Sequence, residues 1–205
     1  FTGPVNIPVA SFSAACNGGA CIPQPGTNQK LDSLADRLMY RLAYRNFTTY
    51  DALVVNHSVF VSGSRKSQVD GIRWYEIRNP NATPSVYQQG TYSPDTNSRW
   101  MGSIAMDKVG NIAVGYSVSS GALFPSIRYA GRAPGDPLGT LQSENNMTSG
   151  AGSQLANLAR WGDYSSISLD PVDDCTFWYT TEYLMNNGTF NWSTRIGSFK
   201  LSGCI

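Results

Sequence analysis

The chain has 205 residues, a net charge of +1, and 14% charged and 12% aromatic residues, with 20 glycines and 11 prolines. That is enough chain for one sizeable core, and the scarcity of Glu and Lys argues against a helical fold. A near-zero net charge without any block of like charge excludes a nucleic-acid partner held by phosphate neutralisation, and no apolar run reaches the ~18 residues that a bilayer span needs.

Phe1 opens the sequence with no basic and apolar leader behind it, as expected of a mature product or fragment of a secreted protein. Residues 5–12 (VNIPVASF) read as an extended strand with Pro8 at an edge position. This strand is expected to supply an outer strand to the last repeat unit or to complete a preceding one. Cys16 and Cys21 then bracket a glycine-rich loop, CNGGAC, while Cys175 and Cys204 lie near the C-terminus. The spacing lacks the two close pairs of an all-cysteine zinc site, and His57, the single histidine, leaves little for a mixed one. Two disulfides in an oxidising compartment are expected, Cys16–Cys21 and Cys175–Cys204, with other pairings left open by the spacing. His57 lies at a strand end inside a sequon, has no nucleophile elbow near it, and is expected at the surface.

From residue 36 onward the chain repeats itself. Arg37, Arg99 and Arg160 recur at nearly equal spacing, and each opens an alternating segment: RLMYRLAYR, RWMGSIAMD and RWGDYSSISLD. In the first of these Leu38, Tyr40 and Leu42 form the apolar set. Second strands follow at residues 52–56, 112–116 and 176–180, and third strands at 72–75, 127–130 and 194–197, each third strand carrying an arginine (Arg73, Arg128, Arg195). A fourth is written twice, at residues 89–92 (QGTY) and 138–141 (LGTL). The organisation is a leading segment, residues 1–35, with a disulfide loop, then units at 36–98, 99–159 and 160–205. Tandem four-stranded antiparallel units of roughly 60 residues are the mark of propeller blades, with a Greek-key sandwich as the alternative. The expected fold is all-β and β-propeller-like. Propellers close with about 4–8 blades, so three form an incomplete ring.

The turns carry a resemblance. SLDPVDDCTFW (residues 168–178) and AMDKVGNI (residues 105–112) resemble the Asp-box, Ser-x-Asp-x-Gly-x-Thr-Trp, in which an Asp carboxylate accepts turn N–H groups and Gly takes positive φ. The sequence departs from the pattern at Ala105, where the box has Ser, and at Pro171 and the insertion after Asp170; the first unit replaces the box with RNFTTYD (residues 45–51). With CIPQPGTNQKLDSL ahead of them, the three units resemble the C-terminal part of secreted bacterial sialidase-like β-propeller proteins.

That resemblance implies a fold and a set of candidates. Sialidases clamp a sugar carboxylate with three arginines, since guanidinium is a planar bidentate donor; Arg37, Arg99 and Arg160 are the candidate ligand-binding set, against a structural role in holding blades together. A tyrosine nucleophile, a glutamate to activate it and an acid/base aspartate would come from Tyr164, Glu182 and Asp163. Asp170, Asp173 and Asp174 form an acidic turn able to offer oxygens to Ca²⁺, although their spacing fits no known calcium loop and no cofactor is required. Trp74, Trp100, Trp161, Trp178 and Trp192 could stack on sugars or fill blade interfaces. Six sequons, at Asn46, Asn56, Asn81, Asn146, Asn187 and Asn191, suggest a glycoprotein.

Three functions follow from these features. The first is a secreted binding or assembly module whose partner is a carbohydrate or another protein chain completing the propeller. The second is a sialidase-like glycoside hydrolase with part of its site outside this chain, and the third a structural subunit of an extracellular coat or filament.

Overall fold

The computed structural model describes residues 3–64 and 67–205. Its strands pair with their sequence neighbours in antiparallel meanders. A short hairpin comes first, β1 (Ala20–Ile22) with β2 (Leu31–Asp32). The first large sheet runs β3 (Ala43–Phe47), β4 (Tyr50–Ser62), β5 (Val69–Arg78) and β6 (Ser85–Tyr92). The second runs β7 (Ser98–Met106), β8 (Ile112–Ser119), β9 (Ser126–Arg132) and β10 (Asn145–Thr148). The third has three strands, β11 (Ser166–Leu169), β12 (Phe177–Tyr183) and β13 (Ser193–Phe199). Almost no helix is present among the described residues, apart from one 3-10 turn at Ala15–Gly18.

The second sheet lies between the other two. Every residue of β7 and β8 is buried, because side chains alternate across a strand and here both faces meet a sheet. One face carries Ile104, Met106, Ile112, Val114 and Tyr116 against Ala52, Val54, Ile72, Trp74 and Tyr92 of the first sheet. The opposite face carries Ala105, Ala113 and Ile127 against Ile167, Phe177 and Tyr179 of the third. Large residues therefore fill the first interface from both sides. In the second interface small residues of the middle sheet make room for the aromatics of β12. Gly115 is the tightest case: a Cβ there would lie 2.6 Å from the Tyr179 ring.

A third apolar cluster seats the leading segment. Ile22 and Leu31 of the hairpin pack with Met39, Trp100, Met101, Trp161 and Leu184. Both disulfides form, Cys16–Cys21 and Cys175–Cys204.

Several expectations from the sequence are corrected. Leu38, Tyr40 and Leu42 precede β3 and are exposed, and Met39 enters the core instead, its N–H donating to the Asn56 carbonyl (2.9 Å). Residues 138–141 are a turn, with Gly139 at φ 77°, and the fourth strand of the second sheet is β10. Gly90 of β6 and Gly139 let the two backbones touch, so the shared LGTL/QGTY pattern reflects a glycine contact rather than a common strand. Among its described residues the N-terminal segment joins no ladder beyond one bridge, Ala14 to Val59. Residues 5–12 instead lay Ile7, Val9 and Phe12 over Val55, His57 and Tyr75 on the outer face of the first sheet, around a groove of about 380 Å³.

The Gly115–Tyr179 contact can be tested directly. Gly115→Ala should lower stability by about 1–3 kcal/mol through overpacking, whereas Gly121→Ala, which opens into space, should leave the denaturation midpoint unchanged.

Candidate functional site

The three repeated arginines separate. Arg99 lies inside the protein with no exposed surface. Its guanidinium forks onto Glu144 (2.9 and 2.8 Å) and also reaches Asp95 and the Asn97 carbonyl (2.8 Å each). Glu144 accepts in addition from Tyr116 (2.9 Å) and pairs with Arg128. Asp95 is held down to about 2, first of all by its hydrogen bond from Arg99, and Glu144 is lowered although burial opposes it. Four of the five guanidinium N–H groups are engaged in this network, and full burial keeps the side chain from an incoming ligand.

Arg37 and Arg160 are exposed, and they come together with the other candidates. Arg37 forks onto Asp36 (2.9 and 2.8 Å), and Arg160 pairs with Asp163 through two nitrogens. The Arg37 guanidinium is raised first by Asp36 and then by the Tyr164 hydroxyl; Arg160 is raised by Asp163, with Asp32 and Tyr164 contributing at longer range. Tyr40 and Tyr164, both about half exposed, stand with ring centroids 6.4 Å apart. Glu182 of β12 lies against Gly162; burial raises its carboxyl, and the Asp163 charge adds to this. One surface thus gathers Asp36, Arg37, Tyr40, Arg160, Asp163 and Tyr164, with Glu182 at its margin.

Local structure holds this surface in place from below. Trp161, next to Arg160, is buried and donates its indole N–H to Ser117 (3.0 Å). The Gln154 side chain donates to the Arg160 carbonyl (2.6 Å) and the Leu158 carbonyl (2.9 Å), and Asp32 N–H donates to the Ala159 carbonyl (2.8 Å). The buried Gln24 amide donates to the Gln154 carbonyl (3.1 Å) and accepts from the Gln154 N–H (2.7 Å), and so ties the leading segment to the loop before β11. Ser103 donates to the Tyr40 carbonyl (3.3 Å) and accepts from Ile167 N–H (3.0 Å), linking the two loops through the middle sheet. Sequence reasoning missed Asp36, Tyr40, Gln24 and Gln154. The available signal was Asp36 directly before Arg37, mirrored by Asp163 shortly after Arg160.

The remaining candidates take structural places. The oxygens of the acidic turn are already engaged. Asp170 accepts from Val172 N–H (2.8 Å) and the Trp178 indole (3.0 Å), Asp173 from Cys175, Thr176 and Lys200, and Asp174 from Arg45. Calcium would have to displace those donors. Asp107 closes the corresponding β7–β8 turn, accepting from Val109 and Asn111 N–H groups (3.0 and 2.9 Å) with Gly110 at φ 89°.

His57, expected at the surface, is buried beneath Phe12 with Nε2 2.9 Å from the Tyr75 hydroxyl; burial, with Arg73 nearby, lowers it to about 4. It lies within β4 and not at a strand end, and the N-terminal segment covers that face. Asn56 is fully buried, its amide facing the middle sheet at Gly102, so no glycan can occupy that sequon in the folded chain. The other five sequon asparagines are exposed. Trp74, Trp100 and Trp161 are core residues, and only Trp178 and Trp192 reach solvent.

Two classes of arginine should respond differently to mutation. Glu144→Gln strips a buried guanidinium of its main partner and should cost about 3–5 kcal/mol in denaturant unfolding, while Arg160→Ala at the surface should leave the transition where it is. Compared with family models, curated proteins and solved structures, the chain matches none.

Proposed function

We propose that the chain is three consecutive blades of an extracellular β-propeller, and that the Arg37–Arg160 surface binds a neutral carbohydrate. The observation that carries the ligand class is the pairing of each exposed arginine with its own aspartate beside two exposed tyrosine rings. A guanidinium already forked onto a carboxylate has little positive charge to offer a sugar acid. The Arg–Asp pairs still present fixed donors and acceptors at their edges, and a tyrosine face supplies the apolar platform that a pyranose ring stacks on. Neutral hydroxyl-rich rings suit such a surface better than sialic acids do.

The same features argue for binding without turnover. A sialidase clamp needs three free guanidinium groups, and here one is buried and two are neutralised. Stacked meanders support the propeller reading: residues of the three first strands, β3, β7 and β11, line one groove of about 490 Å³ bridged by Arg45 and Asp174. The outer face of the third sheet, with Trp178 and Ile196 exposed, is where a further blade would stack, from this protein or a partner.

A glycan array supplemented with fluorogenic glycosides tests the reading. Neutral glycans should be bound and none hydrolysed, and Tyr164→Ala should weaken binding about tenfold, or ~1.4 kcal/mol for one aromatic contact. Turnover of a sialoside, or binding confined to acidic glycans, would overturn it.

A further inference from the structure

Beneath the CNGGAC loop a carboxyl group lies against a disulfide. Asp70 of β5 has no exposed surface, and its Oδ2 is 3.5 Å from Cys21 Sγ and 3.7 Å from Cys16 Sγ. The sulfurs of a disulfide carry no proton to donate, so the contact is satisfied only when the carboxyl itself supplies one. Its other oxygen accepts from the Gln68 amide. The Asp70 N–H donates to Ser98 Oγ (3.2 Å). No charged side chain among the described residues forms an ion pair with Asp70. On the far side of the loop, Asp36 packs near Gly18 with its own carboxylate held by Arg37.

We propose that Cys16–Cys21 is a thiol–disulfide exchange centre in which Asp70 moves the proton. The disulfide is half-buried at a loop while the carboxyl lies fully beneath it, so a thiol arriving from solvent meets sulfur first and the acid stands behind the leaving group. The partner is a dithiol, small or borne on a protein. Its thiolate attacks Cys21 Sγ; a new S–S bond forms there as the Cys16–Cys21 bond breaks, and the electron pair passes to Cys16 Sγ, which takes the proton of Asp70. Solvent returns a proton to the carboxylate. The partner's second thiolate then attacks the partner sulfur of the mixed disulfide; the electron pair passes to Cys21 Sγ, which takes the proton of the reprotonated Asp70, leaving the partner oxidised and the chain reduced. Run backwards, with Asp70 as base, the reduced pair passes electrons to a disulfide.

Burial pushes the Asp70 carboxyl up to about 6, against the Gln68 hydrogen bond, which lowers it. The acid is therefore protonated below that pH and ionised above it. The sulfurs of Cys175–Cys204 have no side-chain carboxyl among their recorded contacts, only the Ile205 backbone oxygen 3.7 Å from Cys175 Sγ, and both residues are buried. It serves as the control within the same molecule.

The test follows reduction of each disulfide by dithiothreitol, trapped by alkylation and read by peptide mass spectrometry, from well below to well above pH 6. The Cys16–Cys21 rate constant, expressed per thiolate, should fall by about tenfold or more as pH rises through the Asp70 value. Cys175–Cys204 should not share this fall, and Asp70→Asn should show a slow, flat profile for Cys16–Cys21. A flat profile in the unaltered protein, or a common profile for both disulfides, would overturn the proposal. The unaltered protein decides the matter even if the Asn variant does not fold.

Discussion

The structure depends on burying one pair of strands on both faces. β7 and β8 have no solvent side, so each residue is chosen by a neighbouring sheet rather than by alternation between core and water. The two faces solve the packing differently. Towards the first sheet both partners contribute large side chains; towards the third, Ala105, Ala113 and Gly115 recede so that Phe177 and Tyr179 can enter. The second solution fixes the approach of the third sheet tightly, because a missing Cβ leaves room for one ring in one place.

Double burial also puts a premium on partners for the polar groups of the middle sheet, although Trp100 Nε1 and Arg132 Nε have none. Ser103, Ser117 and Ser119 find theirs by reaching out of their sheet, to the loop before β3, to Trp161, and to the Pro23 carbonyl (2.7 Å) in the leading segment. These bonds position the surface above them. The Arg37 and Arg160 loops have few strand hydrogen bonds of their own, and Met39, Trp161 and the Gln24–Gln154 pair anchor them to the core. The loops that carry this surface are thus supported by buried polar contacts to the middle sheet.

The meander order was legible in the sequence because turn residues and alternating strands are local properties, and the antiparallel pairing of neighbours follows from them. Two disulfides were expected too, but the spacing left other pairings open, and the fold pairs Cys16 with Cys21 and Cys175 with Cys204. Burial was not legible. Leu38, Tyr40 and Leu42 read as a core face, yet the residue that enters the core is Met39, because Asn56 of β4 captures its N–H. His57 read as a surface histidine until the N-terminal segment was laid over it, a contact between residues far apart in sequence. Residues 138–141 imitated the strand at 89–92 because both need glycine where two backbones touch. In the site, Arg37 and Arg160 were visible from the repeat, but their neutralisation by Asp36 and Asp163 became decisive only once side-chain geometry was known.

Arg99-Trp100-Met101 and Arg160-Trp161-Gly162 show what the repeat conserves physically. In both, the tryptophan is buried and the third residue is left-handed, at φ 52° for Met101 and 46° for Gly162. The indoles lie 6.1 Å apart in one cluster. Anchor and turn are therefore the common element, and the arginine's role is set by what surrounds it. In the middle sheet Glu144 and Asp95 enclose Arg99, so its charge is consumed within the fold. Arg160 has only Asp163 and remains in solvent. A repeated arginine thus stays at the surface only where the repeat leaves it without interior partners, as at Arg37 and Arg160, on the loops that lead into β3 and β11.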